Sequence, residues 1–345
     1  MQAAGVKPVV DSRSIAVVGL VEVIVHIPRI YKQFRRLVRA AKELRPDLAI
    51  LTDSPDFHLR LAKKLKRLKI PIVYLIAPQA WAWREGRVKT LRATVDRLLT
   101  IFPFEPEFFE KHGVPTSYLG HPLARIFKPT MTRDEFYGKF HIDPSKPIVV
   151  LLPGSRHGEV ARHMPELLDA QERISAAKKA TFILALPPGF GAEAATFSER
   201  VRASSIQVIE GSTWDSLAHS ELALAASGTV TIEAALAGVP MVTFYRVNAL
   251  SWILGRWMVR SPFLSMVNLV AQRRVVPELI QGDMTGKRIA AEAIRLLEDE
   301  DARRRMRSDL AEVARALSTG ADPIETAADW MMKVFRARKE TVHVV

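Results

Sequence analysis

Hydrophobic positions along the chain follow two alternating rhythms. Short apolar runs, such as Leu48–Thr52, Ile72–Ile76, Leu98–Phe102 and Ile148–Leu152, read as strands buried on both faces. Between them, apolar residues recur at helical spacing. The clearest case opens at Pro28: Tyr31, Phe34, Leu37, Val38, Ala41 and Leu44 share one face, and Arg29, Lys32, Arg35, Arg36, Arg39 and Lys42 occupy the other. Helices are also expected from about Phe57 to Leu68 and from Arg84 to Val95. Further strands are expected near Phe182–Leu186, Leu222–Ala225 and Met241–Phe244, and Thr285–Arg338 reads as helical and highly charged. Strand, helix, strand in repetition is the pattern of parallel sheets covered on both faces, the α/β class.

The rhythm breaks once. From Pro115 to Pro129, with Pro122 inside, no period is visible, and a second series starts at Ile148. Two Rossmann-like, doubly wound lobes with a cleft between them are therefore expected. Residues 1–141 would form the first, 142–320 the second, and 321–345 a C-terminal helix packing back on the first. A length of 345 residues suits two lobes.

Composition narrows the chemistry. The chain has no Cys, which excludes disulfides, thiolate metal ligands and a Cys nucleophile, and fits a reducing compartment. A net charge of +13 and a pI of about 10.1 favour a polyanionic partner: nucleic acid, an anionic membrane face or a phosphorylated substrate. No zinc spacing, RNP-type segment or basic zipper accompanies the charge, so nucleic acid is not expected. No segment has the length of a membrane span, because Glu22 interrupts Ile15–Ile27 and Arg256 and Arg260 break the region after Trp252. No secretory signal is expected at Met1–Gly5.

Polar motifs fall where strands are expected to end. In doubly wound sheets those ends are where ligands bind. Asp53-Ser54-Pro55-Asp56 follows one strand, Ala77-Pro78-Gln79 the next, and Pro153-Gly154-Ser155-Arg156 opens the second series. The block from Ala226 to Pro240 holds Ser227-Gly228-Thr229, a small-residue turn between an apolar run and a short helix. Such a turn offers backbone N–H groups to an anion, and Glu233, one turn on, suits a ribose. An ordinary βα turn with Ser or Thr as N-cap has the same spacing. Asp53 has two readings, a general base or a helix N-cap, with Asp56 the better candidate for the cap. Arg156 reads as a phosphate partner or as a surface residue after the turn.

These residues, in this order, resemble the lipid-A-disaccharide synthase family of inverting, two-lobed GT-B glycosyltransferases. The matching pieces run from Val18-Gly19-Leu20-Val21-Glu22-Val23 and Asp53-Ser54-Pro55-Asp56-Phe57 to Pro78-Gln79-Ala80-Trp81-Ala82-Trp83-Arg84 and Phe102-Pro103-Phe104-Glu105. They continue through Gly120-His121-Pro122, Leu152-Pro153-Gly154-Ser155-Arg156, the Ser227–Pro240 block, Tyr245-Arg246-Val247 and Val276-Pro277-Glu278-Leu279-Ile280-Gln281. The Trp-Ala-Trp-Arg segment is the most specific of them.

The resemblance implies transfer of 2,3-diacylglucosamine from its UDP donor to the 6-hydroxyl of 2,3-diacylglucosamine 1-phosphate, with release of UDP. It implies no metal or other cofactor. Asp53 would be the base and Arg156 a donor-phosphate partner. Ser227, Gly228, Thr229 and Glu233 would bind the nucleotide, with Asn268 and Glu278 bordering the same pocket. His58 stands where the family more often has Asn and reads as helix-start packing. Trp81 and Trp83 read as core or cleft wall. Acylated substrates imply an enzyme in the cytoplasm that reaches the inner membrane's anionic face. Ile253, Leu254, Trp257 and Met258, beside Arg256 and Arg260, are candidates for the contact, or for a buried helix. A homodimer is left open. The family opens with a strand and a glycine-rich loop ahead of the segment that here starts at Met1, so the first strand is expected to be missing. Another UDP-sugar-dependent GT-B enzyme, or an inactive truncated relative, are the competing readings.

Overall fold

The structure is a computed structural model, and it describes residues 5–10, 20–81, 85–190, 198–248, 252 and 261–343. The chain divides into two compact units. Residues 1–120 cluster with 321–345, and 121–320 form the second unit.

The first unit runs α1 (Leu20–Leu44), β1 (Ala49–Thr52), α2 (Pro55–Arg67), β2 (Ile72–Leu75), α3 (Gly86–Thr94), β3 (Arg97–Thr100), α4 (Glu105–Lys111), β4 (Thr116–Tyr118). The four strands are parallel neighbours in the order β1-β2-β3-β4, so the loops after β1, β2 and β3 leave the same end. Pro28, expected to open a helix, lies inside α1. Its φ is helical and only its missing N–H marks it, so pattern reading puts a start where the helix continues. The apolar stripe of α1 does what its period requires: Phe34, Leu37, Val38 and Ala41 pack on a core of Leu59, Ala62, Leu65, Ile72 and Tyr74. On the other side of the sheet, Val73, Leu99 and Leu119 meet Ala327, Trp330, Met331 and Val334 of the C-terminal helix Pro323–His343.

The second unit contains α5 (Pro122–Ile126), α6 (Arg133–Lys139), β5 (Ile148–Leu152), α7 (His157–Ala177), β6 (Thr181–Leu186), α8 (Ser198–Ala203), β7 (Ile206–Glu210) and α9 (Thr213–Ala218). It continues with β8 (Leu222–Ala226), α10 (Val230–Leu236), β9 (Met241–Tyr245), α11 (Met266–Ala271), β10 (Glu278–Ile280), α12 (Gly286–Glu298) and α13 (Glu300–Ala316). Its six strands are all parallel, in the order β10-β9-β8-β5-β6-β7. Every residue of β5 and β8 is buried, which is why both read as unbroken apolar runs.

Residues 121–141, expected in the first lobe, cluster with the second unit instead. Asp215, a buried carboxylate, takes N–H donors from Thr130 and Met131 at 2.6 and 2.7 Å and the Thr130 hydroxyl at 3.0 Å. Phe136 packs at 5.1 Å from the His219 ring. Short elements tied by tertiary bonds leave no period to read in the sequence. Among the described residues no helix is long and apolar enough to cross a membrane.

Candidate functional site

The second sheet has the doubly wound order, in which strands are added to one side of β5 and then, from β8 on, to the other. The loops after those two strands part there and leave a crevice. A cavity of about 760 Å³ occupies it, lined by Gly154, Ser155 and Arg156 from one loop and Ser227, Gly228 and Thr229 from the other. Glu159, Trp214, Glu233 and Tyr245 complete its polar wall.

The loop after β5 is shaped by a glycine and a carboxylate. Gly154 sits at φ +123, and a Cβ there would meet Glu159 at 2.9 Å. Glu159, in the first turn of α7, accepts hydrogen bonds from Arg156 at 2.9 Å and from the Tyr245 hydroxyl at 3.2 Å. Glu159 was not legible as functional; its signal is only its position three residues after Arg156. The Arg156 side chain is 64% exposed, so its ion pair is worth at most about 1 kcal/mol.

Behind this wall His163 is fully buried. The Arg246 N–H donates to Nε2 at 3.1 Å, so the ring proton is on Nδ1, which donates to the Pro153 carbonyl at 2.6 Å. This neutral tautomer ties the β5 loop to the end of β9, and burial lowers its pKa below the usual histidine value.

The turn after β8 is held from below. The Ser227 hydroxyl donates to the Leu264 carbonyl at 2.7 Å, and the Ser227 N–H to Phe244 at 2.8 Å. Thr229 is the N-cap of α10 without a side-chain cap bond; the Thr231 and Ile232 N–H groups donate to the carbonyls of Gly228 and Thr229 at 3.1 and 2.9 Å, so in this turn it is the amides ahead of them that are on offer to an anion. Glu233 accepts from the Trp214 indole at 2.9 Å, and burial raises its carboxyl pKa. Trp214 was not singled out from sequence, since an indole far away in the chain gives no local signal.

Asn268 and Glu278 do not line the cavity, which corrects the expectation for both. Asn268 is fully buried and spends its amide on Val276 and Glu278 and its carbonyl on the N–H groups of Val275 and Val276. Glu278 takes the N–H groups of Leu264 and Ser265 at 3.2 and 2.9 Å. Since Leu264 carries the Ser227 hydroxyl, these two residues buttress the turn from behind.

In the first unit, Asp53 follows β1 as expected and is exposed. It adopts φ +56, a left-handed conformation rare for a residue with a Cβ. Its carbonyl accepts from the buried Tyr74 hydroxyl and from His58 Nδ1, both at 2.8 Å. The helix N-cap is Ser54, not Asp53 or Asp56, and no side chain caps it. Asp56 instead pairs with Arg87 at 2.9 Å. His58 thus does more than pack, because it holds the strained turn. Trp81 lies on the loop between β2 and α3. Trp83, Arg84 and the 253–260 patch lie outside the described residues. Among the described residues no three His, Asp or Glu side chains are grouped as a metal site requires.

The model of the family described as lipid-A-disaccharide synthetase matches residues 1–323. The lipid-A-disaccharide synthase of Solibacter usitatus is 57% identical over 323 residues, 93% of this chain and 84% of that one. That of Geobacter metallireducens is 43% identical over 322 residues, with the same coverage. The chain belongs to the lipid-A-disaccharide synthase family. It is a glycosyltransferase of lipid A biosynthesis. Among solved structures, the UDP complex of S. aureus MnaA superposes with a TM-score of 0.61 at 13% identity, covering 90% of this chain and 81% of that one. The UDP-GlcNAc 2-epimerase of Neisseria meningitidis, bound to UDP-GlcNAc, gives 0.58 at 12% identity, covering 88% and 82%. Both are likenesses of fold.

Proposed function

We propose that the chain transfers 2,3-diacylglucosamine from UDP to the 6-hydroxyl of 2,3-diacylglucosamine 1-phosphate. The observation that carries this reading is the cavity at the reversal point of the second sheet, with a guanidinium on one loop and helix-start amides on the other. The donor pyrophosphate would be met by Arg156 and the amides of Gly228 and Thr229, and the ribose by Glu233. The solved relatives by fold that hold UDP or UDP-GlcNAc support a nucleotide-sugar donor in such a fold.

Asp53 is the base. It takes the proton of the acceptor hydroxyl as that oxygen bonds to the anomeric carbon. The bond to the β-phosphate oxygen breaks with inversion, and UDP leaves with the bonding pair. We assign neutralisation of the leaving group to Arg156 and backbone N–H groups, without a metal ion. Asp53→Asn is expected to abolish turnover while leaving UDP affinity within about twofold, since the base role is spent on the transition state alone. Arg156→Ala should weaken UDP binding by at least about tenfold, as loss of a charge-assisted bond requires. Transfer assays with a panel of UDP-sugars, beside UDP titration, check both; normal turnover by the Asp53 variant removes it from this role.

We further propose a cytoplasmic enzyme docked on the anionic inner-membrane surface. Residues 27–69 hold 13 Lys and Arg against 4 Asp and Glu, so this segment carries +9 of the net +13. Ile27, Tyr31 and Leu44 of α1 are 52, 60 and 73% exposed beside these cations. Apolar side chains among basic ones suit an interfacial helix.

A further inference from the structure

Glu105 is a buried carboxylate that the reaction above does not use. It is 1% exposed, at the first position of α4, where the chain turns after β3. Three N–H donors converge on it from two loops. The Trp81 indole donates to Oε1 at 3.1 Å, and the amides of Ile101 and Phe102 donate to Oε2 at 3.3 and 3.1 Å. The Trp81 ring also stands edge-on to Phe104 at 4.9 Å. Among the described residues no cation pairs with this carboxylate.

The placement matters more than the burial. Trp81 lies on the loop from β2 to α3, Glu105 follows β3, and Asp53 follows β1, all at the carboxyl end of one parallel sheet. The loop after β2 is already constrained: Ile76 sits at φ +64 with its N–H on Leu99, and Ala77 and Ala80 are buried. An indole held by a charged acceptor anchors the middle of that loop.

We propose that Glu105 is a positioning residue of the transfer reaction, an ionised latch that fixes Trp81 and with it the loop beside Asp53. The proposal rests on the reading of Asp53 as the base. An indole or amide N–H can only donate. Protonation of either Glu105 oxygen therefore replaces an acceptor by a donor and opens one side of the latch. Burial opposes the three donors and raises the carboxyl to about 7, so the latch is set to open near neutrality. The titratable group facing it is Tyr118 of β4, whose hydroxyl is raised to about 12 by burial and then by the Glu105 charge.

The test uses the full chain with Glu105→Gln and Trp81→Phe, singly and together. Each single variant is expected to lower kcat about tenfold at pH 8, the scale of one lost charge-assisted hydrogen bond, with the donor KM unchanged. The double variant should be no worse than the poorer single one, because both remove the same bond. In 15N spectra of the six tryptophan indoles, the signal absent from Trp81→Phe should titrate in the wild type with a midpoint of about 7 and stay fixed in Glu105→Gln. A Trp81 indole that does not titrate, or kcat unchanged in Trp81→Phe, overturns the proposal. The spectra read the latch without turnover, so loss of the Asp53 reading shows separately, as an active Asp53→Asn. If Glu105→Gln does not fold, Trp81→Phe and the wild-type titration decide alone.

Discussion

At the scale of single residues, the cavity of the second unit depends on the absence of one side chain. Gly154 holds φ +123 while Glu159 fills the space where a Cβ would be. Gly154→Ala therefore meets two costs, a left-handed backbone and a clash with the carboxylate that aims Arg156. About 1–3 kcal/mol of stability should be lost on the backbone term alone. Urea unfolding should read that loss, and UDP titration a parallel drop in affinity. A variant with wild-type stability and affinity would contradict this account of the turn. The same scale explains why Asn268 and Glu278 misled: their residue types suggest a ligand, but every bond they make goes to neighbouring backbone or to each other.

At the scale of elements, two buried histidines join pieces of the second unit, and both work only when neutral. His163 links the β5 loop to β9. His121 caps α5, its Nδ1 accepting the Leu123 N–H at 3.1 Å. Burial lowers the His121 pKa from 6.5 to about 4. The folded protein thus refuses a proton that the unfolded chain takes up. Its stabilisation is complete above about pH 6.5 and is lost as pH falls through about 4. His121→Asn keeps an N-cap acceptor and removes the titration. Thermal unfolding followed by circular dichroism should show Tm falling more steeply for the wild type than for this variant between pH 6.5 and 4. Parallel curves would count against the neutral cap. The fully buried strands β5 and β8 were readable in sequence because burial on both faces leaves only apolar residues. The three-residue strands β4 and β10 were not, being too short to show a period.

At the scale of the molecule, charge is distributed unevenly. With +9 of +13 in residues 27–69, binding to anionic vesicles should weaken as salt rises and the Debye length shrinks. Replacing Arg35, Arg39, Lys42 and Arg67 by Gln should cost about 1 kcal/mol each in a vesicle sedimentation assay at low salt. Unchanged binding would move the membrane contact away from α1 and α2.

The sequence by itself determined the α/β class, the alternation of strand and helix, and the loops on which Asp53, Arg156 and Ser227–Thr229 sit. Apolar burial and turn chemistry act between near neighbours, so periodicity records them. Tertiary structure alone decided that Tyr245 reaches Glu159, that Trp214 reaches Glu233, that Asn268 stands behind the cavity and that Glu105 grips Trp81. Those pairings join strands and loops that are distant along the chain, and only the order of strands in each sheet brings them within bonding distance.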